Sequence, residues 1–281
     1  MSSRRLRRGG ATLIELLVSI TILGIMGAAI VRLFVSQSRF VDQVTKQRAA
    51  RTVSRVSINL MLSELRGIES SGGVVSASSG ALTVRVPYAM GVSCGSAGGA
   101  TALSLLPVDS ADYSNAVFAG FAVRDGSGAY QYVETGSALS PSPASSLCLA
   151  AGITTLPRGQ VIAVSPPITT PSEVGAAVLV FQRVTYAFLP SVVIPGRMGL
   201  WRSVTNGTRE EVATPFDSSS VFRYFADGAD SATVAPPANL ADVRGVEFVF
   251  GGASEGARAG RTAPEVAMLR SAVFFLNRPE P

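Results

Sequence analysis

The chain offers few side chains that could carry out acid–base or metal chemistry. Its 281 residues include no histidine, two cysteines and a single lysine, Lys46. Histidine is the commonest general base and the commonest metal ligand, so Ser-His-Asp hydrolysis, Cys-His hydrolysis and His-ligated zinc sites are excluded. Thr45 precedes Lys46, whereas the phosphate-binding Walker A loop needs a Gly-Lys pair. We therefore expect a protein that is not an enzyme and binds no cofactor or metal.

Two short patterns match functional motifs but have simpler interpretations. Ser93 lies in a G-x-S-x-G sequence, residues 91–95, like the nucleophile elbow of α/β hydrolases, but no histidine can take its proton. Asp227 and Asp230, in FADGAD, suggest a calcium loop, but few further acids are nearby and Asp-Gly more often forms a turn. We expect neither catalysis at Ser93 nor calcium at the aspartates.

Glu15 is the one charged residue in an otherwise uncharged segment, ATLIELLVSITILGIMGAAIV, residues 11–31. Twenty-one residues are enough for a helix to cross the hydrocarbon core of a bilayer. An acidic side chain inside that core costs roughly 3 kcal/mol even on insertion scales, so it marks a functional position by default. The sequence predicts a transmembrane helix over 11–31 with Glu15 as its functional residue.

Basic residues at the N-terminus orient the transmembrane helix. Four of the formal +5 charges come from arginines within the first eight residues, and from position 9 onward 20 basic residues face 19 acidic ones. The positive-inside rule places residues 1–10 in the cytoplasm and everything after Arg32 outside. We therefore expect a single-pass anchor with a nearly neutral exterior part and, as the default, no nucleic-acid partner.

The helix continues beyond the membrane, because neither glycine nor proline occurs between Arg32 and Arg66. Val53, Val56 and Leu60 are spaced by three and four, and neighbouring apolar residues broaden this stripe. The pattern predicts an amphipathic helix over 32–66 whose apolar stripe packs on the rest of the chain. Three arginines at 48, 51 and 55 share one helical face. This face is more simply interpreted as a solvent-exposed surface than as a DNA-binding surface.

The chain changes to strand and turn composition after Gly67, and all 16 prolines lie at Pro87 or later. Segments rich in β-branched and aromatic residues predict strands at 82–86, 176–189, 243–250 and 265–277. Asn206-Gly207 predicts a hairpin with a type I′ turn. Segments rich in Ser, Gly and Pro predict loops at 93–100, 136–146, 165–173 and 226–239. The expected fold is α+β, with the long N-terminal helix packed on an antiparallel β-sheet domain over 67–281.

Cys94 and Cys148 both fall in the expected exterior part, where oxidation is permitted. A bridge between them would stabilise the fold by about 4 kcal/mol in the simple loop-entropy model. Two free buried thiols are the alternative, and a metal site is disfavoured because two cysteines without histidine bind metal poorly.

The N-terminal sequence RRGGATLIELLVS resembles the class III signal of type IV pilins and pseudopilins. A basic leader ends in Gly10, an apolar helix starts at Ala11, and Glu15 is the fifth residue after that glycine. The resemblance implies that prepilin peptidase cuts between Gly10 and Ala11 and methylates the amine of Ala11. Glu15 would then pair with the positive N-terminus of a neighbouring subunit. Ala11 replaces the family's usual Phe.

Three further positions, within and just after the apolar segment, bear on this resemblance. Gly24 and Ala28 lie four residues apart and would let helices approach closely in a bundle. Arg32 stands where major pilins carry a proline, so the local melting inferred for those subunits is not expected here.

The distal half resembles PilW-type minor pilins and the J-type minor pseudopilins of type II secretion, through the order GLWRSV, VFRYFADGAD, ADVRGVEFVFGG and LRSAVFFLN. That resemblance implies a subunit in the bacterial inner membrane that later helps prime or cap a type IV pilus at its tip. Its partners would be other minor and major pilins, prepilin peptidase, the inner-membrane assembly platform and, before assembly, lipid.

Three alternatives to a pilus subunit stay open. The first is a J-type pseudopilin of type II secretion. The second is a membrane-tethered exterior enzyme or binding domain unrelated to filaments, held by a plain signal anchor. The third is an ordinary secretory signal cut near Gly27-Ala28-Ala29.

Overall fold

The computed structural model describes residues 12–69, 71–124, 129–135, 138–139, 144–169, 174–205, 207–258 and 260–275. Its two main components are one very long helix and an extensive antiparallel sheet, so the predicted α+β class is confirmed. Gly10, Ala11, Asn206 and the end of the predicted strand over 265–277 lie outside the described residues.

Helix α1 spans Leu13–Leu65 without interruption. At 1.5 Å per residue its 53 residues extend about 80 Å. Thr12 is its N-cap, and the helix passes through Arg32 as regular α-helix. The absence of proline at this point thus coincides with a continuous helix, because no residue removes a backbone donor or forces a kink.

Within the described residues, thirteen strands and two short helices follow α1. The strands are β1 Val74–Ala77, β2 Ala81–Ala97, β3 Ala100–Leu105, β4 Gly120–Arg124, β5 Tyr130–Glu134, β6 Ala138–Leu139, β7 Val161–Val164, β8 Val174–Pro190, β9 Met198–Val204, β10 Arg209–Phe216, β11 Val221–Ala226, β12 Val243–Ala257 and β13 Pro264–Phe274. The helices are α2 Pro107–Asn115 and α3 Ala144–Ala150, and a 3₁₀ turn covers Leu240–Asp242.

Strands β2 and β8, each of 17 residues, form an antiparallel ribbon that is paired over about 46 Å. The ribbon runs through both halves of the continuous sheet that the described strands form. The first half of β2 is flanked by β1, and the matching half of β8 by β9, which leads on to β10, β12, β11 and β13. We call this the proximal sheet. The other half of the ribbon is flanked by β3 and β4, which lead on to β7, β6 and β5, and we call this the distal sheet.

The proximal sheet packs on the last third of α1, which contacts β12, β13 and β10. The core between them contains Ile58, Met61 and Leu65 of the helix together with aromatic side chains from the sheet. Phe188, Phe216, Phe222, Phe248 and Phe250 touch one another with ring centroids 5.2 to 6.4 Å apart. Burial of these rings supplies much of the hydrophobic stabilisation that joins helix to sheet.

The buried face of α1 differs from the predicted stripe. Val56 is 55% exposed, whereas the small residues Ala50, Ser54 and Ser57 are fully buried. The reason is a close approach to β12. A Cβ added to Gly252 would lie 2.1 Å from the Ala50 carbonyl oxygen, so only small side chains fit between helix and strand.

The distal sheet has its own cores, in which α1 has no part. One core joins Leu103, Phe121 and Val180 with neighbours from β7. On the opposite face α3 packs through the Cys94–Cys148 disulfide, whose S–S distance is 1.95 Å. The cysteines are therefore bridged, and the alternative of two free thiols is wrong.

Two turn predictions are corrected by the structure. The β9–β10 hairpin exists, but Gly207 lacks a positive φ and donates its N–H to the Val204 carbonyl at 2.9 Å, so the turn is not type I′. The predicted loop over 93–100 is a hairpin, because β2 and β3 continue to a two-residue turn. Its residues Gly98 and Gly99 have φ of 61° and 82°, as a type I′ turn requires.

Candidate functional site

The first half of α1 forms the most exposed apolar surface of the described chain. Every side chain from Thr12 to Val41 is exposed, including Leu13 at 81% and Phe40 at 67%. An 18-residue window of this helix has a mean hydropathy of 2.3, so its length and composition suffice to cross a membrane. Such a surface is unstable in water and needs lipid or other helices around it.

Glu15 lies in the first turn of α1. Its backbone N–H donates to the Thr12 hydroxyl at 3.3 Å. Thr12 and Glu15 have the S/T-x-x-E spacing of a capping box, and a carboxylate in the first turn interacts favourably with the positive end of the helix dipole. Sequence reasoning overlooked Thr12, although this spacing could have revealed it. The predicted cleavage and methylation positions, Gly10 and Ala11, lie outside the described residues.

Gly24 and Ala28 lie on one exposed side of α1. A Cβ added to Gly24 would meet nothing within 4 Å, and the same holds for Gly27. The fold of this chain therefore does not itself require glycine at position 24. Small residues there leave room for a second helix to approach.

The predicted amphipathic segment over 32–66 is covered only in its later part. Phe34, Phe40 and Val41 are 61 to 67% exposed, and the first contacts with the domain are made by Gln43 and Lys46. The reason is that the β12–β13 hairpin ends at this level. About ten residues of exposed helix, 32–41, thus lie between the predicted membrane span and the domain.

Polar contacts fix the level at which helix and domain meet. Lys46 donates to the Ala257 carbonyl and forms an ion pair with Asp42 at 3.2 Å. Arg258, at the same hairpin, donates to the Gln43 side-chain oxygen. The sole lysine of the chain is therefore a structural residue at the junction of α1 with β12.

A second polar cluster holds the C-terminal end of α1. Arg202 on β9 forms an ion pair with Glu64 at 2.9 Å, and Tyr186 on β8 donates its hydroxyl to the same carboxylate. Burial, followed by the nearby Glu64 charge, raises the pKa of Tyr186 well above its ordinary value. The tyrosine therefore stays a neutral donor, and the cluster orients the helix on the sheet.

The residues considered for catalysis, metal binding and DNA binding are not brought together. Ser93 is fully buried inside strand β2, whereas a nucleophile elbow needs an exposed strand-to-helix turn. Asp227 and Asp230 lie in the turn after β11, and within the described ranges no three acidic or cysteine side chains cluster in a metal-binding arrangement. Arg48, Arg51 and Arg55 are exposed on α1.

One comparison with known proteins bears on this helix. A family model described as the prokaryotic N-terminal methylation motif matches residues 5–31. The match includes three arginines of the basic leader, at positions 5, 7 and 8, the Gly10–Ala11 junction and Glu15. No curated protein and no solved structure gives a significant match to the chain. The chain therefore carries a class III prepilin signal, which indicates a type IV pilin- or pseudopilin-like protein, processed by prepilin peptidase, with one apolar anchor helix among the residues that the structure describes.

Proposed function

We propose that this chain is a minor pilin-like subunit that primes or caps the assembly of a type IV pilus. One observation carries the proposal. The methylation motif coincides with a helix whose first 29 residues, from Leu13 to Val41, are left entirely uncovered by their own domain. A surface of this kind is satisfied first by lipid and then, on assembly, by the helices of other subunits.

The carboxylate of Glu15 supplies the proposed driving force for association. In a membrane its charge is stabilised, among the described residues, by the positive end of the dipole of its own helix. Removal of residues 1–10 creates a positive amine on Ala11, and the amine of a neighbouring molecule can approach Glu15 in a medium where unlike charges attract strongly. This attraction gives incoming subunits a fixed stagger along the filament axis.

The arrangement of the two sheets supports a position at the filament end. Gly67, just past the end of α1, lies against Pro87, and the distal cores that follow contain no residue of the helix. The distal sheet thus extends past its own helix. A projecting region of this size is accommodated most easily where no further subunit packs above it. The proposed role is structural, without turnover of a substrate.

Processing provides the first test. Intact mass of the native protein is expected to show loss of residues 1–10 and gain of one methyl group. Gly10→Val should leave the leader attached, whereas Gly9→Val, one residue away, should be processed normally. A mature terminus near Ile30 would instead establish an ordinary secretory signal and overturn the proposal.

A deletion strain separates the pilus from the related alternative. Loss of surface pili with intact protein secretion, restored by the wild-type gene, supports the proposed role. Loss of secretion with normal pili would assign the chain to the J-type pseudopilins. Normal pili together with normal secretion would support the alternative of a membrane-tethered exterior domain unrelated to filaments.

A further inference from the structure

Strand β13 forms an open edge of the proximal sheet. Among the described residues it pairs with β12 alone, along ten register positions from Gly245↔Phe274 to Ala257↔Pro264. An edge strand of eleven residues presents on its outer side a row of free N–H and C=O groups and serves as a template for another strand. This edge lies on the part of the molecule that contacts α1.

The hydrogen-bond pattern identifies which residues face the open edge. Phe275 donates its backbone N–H to the Arg244 carbonyl at 2.9 Å, so it faces β12. Backbone groups alternate between the two sides of an antiparallel strand. Arg270, Ala272 and Phe274 therefore direct their backbone groups to the open edge, as does Met268.

The same residues share the sheet face that points away from α1. Val266, Met268 and Phe274 are 41%, 47% and 53% exposed, and Arg270 and Ala272 are exposed with them. The stripe is thus apolar except at its centre. Within the described part of the chain Arg270 has no ion-pair partner, and the nearby Glu247 is paired with Arg223 at 2.8 Å.

The charge of Arg270 selects the kind of strand that fits. In a symmetric pairing of two copies through β13, centred on this residue, Arg270 would lie directly opposite Arg270 of the second molecule. Like charges directly opposite each other destabilise a strand pair, whereas an opposite charge stabilises it. A second copy is therefore disfavoured, and an acidic residue between apolar ones is favoured.

We propose that the β13 edge binds an extended strand of a different protein chain. This strand has an acidic residue opposite Arg270 and apolar residues opposite Met268 and Ala272. The backbone groups of the edge provide affinity, and the alternating side chains provide specificity. The inference does not depend on the proposed function, because it uses only the geometry and charge of β13.

Two labelled peptides test the proposal with the full chain in detergent micelles, by fluorescence anisotropy. The first peptide, Thr-Val-Thr-Glu-Thr-Val-Thr, reads the same in both directions and so can pair in either orientation. The second has Lys in place of Glu. We expect the Glu peptide to bind about tenfold more tightly than the Lys peptide, and Arg270→Glu to reverse this preference.

A matched pair of variants tests the role of the backbone. Ala272→Pro removes one edge-facing N–H without breaking the ladder to β12, and Ala272→Ser keeps that N–H. We expect the proline variant to lose peptide binding and the serine variant to retain it. Met268→Pro, at another edge-facing amide, repeats the test if Ala272→Pro does not fold.

Three results would overturn the proposal. They are no binding of the Glu peptide by the wild-type chain, equal binding of both peptides, and binding that survives both proline variants. Sedimentation provides a separate check on self-pairing. Dimers that form in the wild type and disappear in Ala272→Pro would identify a second copy as the occupant, and so would also contradict the proposal.

Discussion

Glu15 combines two electrostatic roles that depend on different molecules. Within its own chain it occupies the first helical turn beside Thr12, where the helix dipole stabilises a negative charge. In an assembled filament it is proposed to meet the amine of a neighbour. The first role is satisfied by any acid in the first turn, whereas the second requires a full negative charge in a position set by the stagger between subunits.

Glu15→Gln tests the need for the charge, because glutamine keeps the size and the polarity of the side chain but removes the negative charge on which both roles depend. We expect normal membrane insertion and processing, and a reduction in filaments of about tenfold or more, as loss of roughly 1.4 kcal/mol or more per contact would give. Electron microscopy of complemented deletion cells measures the filaments. Glu15→Asp, which keeps the charge, should retain partial assembly. Full piliation with glutamine would contradict the assembly role of the carboxylate.

Gly252 tests the close contact between α1 and β12. Gly252→Ala places a methyl group 2.1 Å from the Ala50 carbonyl oxygen and 2.6 Å from the Ser54 hydroxyl, so helix and strand must separate. We expect a loss of about 3 kcal/mol in the free energy of unfolding, typical of an overpacked core. Chemical unfolding followed by circular dichroism measures it. Gly256→Ala on the same strand meets nothing within 4 Å and should be nearly neutral.

Glu211 should make stability depend on pH in the acid range. Partial burial raises its pKa, but hydrogen bonds from the Ser191 hydroxyl and from the Val192 and Val193 N–H groups outweigh burial and hold the pKa below its ordinary value. A depressed folded-state pKa stabilises the fold above the unfolded pKa, about 4.3 for glutamate, and this stabilisation is lost as pH falls through the folded pKa.

Glu211→Gln removes this titration. We therefore expect the variant to be less stable than the wild type at neutral pH and to lose less stability between neutral and acidic pH. Thermal melting across that range provides the measurement. Parallel curves for both proteins would show that the carboxylate has no such role.

At the scale of elements, the disulfide joins α3 to the end of β2. It closes a loop of 54 residues, for which the entropy model gives about 4 kcal/mol. We expect Cys94→Ser and Cys148→Ser to lower the free energy of unfolding equally, and the double variant to lower it no further, because each single change already opens the loop. Additive losses would show that the thiols act independently of the bridge.

The helices and strands could be predicted from the sequence wherever one hydrophobicity or residue-type pattern dominates. An uninterrupted apolar and then amphipathic run predicts the long helix, and β-branched runs predict the cores of β2, β8, β12 and β13. Element ends were missed where small residues are used for close packing. The predicted strand over 243–250 stops before Gly251 and Gly252, yet β12 continues to Ala257, and Gly252 admits the close approach of the helix.

The burial of polar residues likewise could not be predicted from the sequence. Serine is mostly exposed in proteins, but the Ser54 hydroxyl accepts from the Gly252 N–H at 2.8 Å and donates to the Phe250 carbonyl at 3.2 Å. These bonds arise only when β12 is already beside the helix, so no local pattern contains them. In the candidate site, the exposed helix and Glu15 were predictable, whereas the level at which the domain begins was not.

At the scale of the whole molecule, α1 divides into three environments. Residues 13–31 suit a bilayer, residues 32–41 are left exposed by the described part of the chain, and residues from Gln43 onward contact the domain. An unsupported helix of ten residues in water is only marginally stable.

Amide hydrogen exchange of the protein in lipid nanodiscs should therefore be slow over 13–31 and over 50–65, and faster over 32–41. In assembled filaments the middle segment should become protected, because neighbouring helices then cover it. Uniform protection along α1 in nanodiscs would contradict this division and would indicate that lipid or the domain covers the middle segment.

The ribbon of β2 and β8 has a mechanical consequence. Because the same two strands run through both sheets without a linker, the distal region cannot move as an independent domain. A pull applied at its far end is carried along continuous backbone to the segment anchored on α1, and rows of cross-strand hydrogen bonds share the load. The distal and proximal sheets therefore transmit tension as one rigid unit.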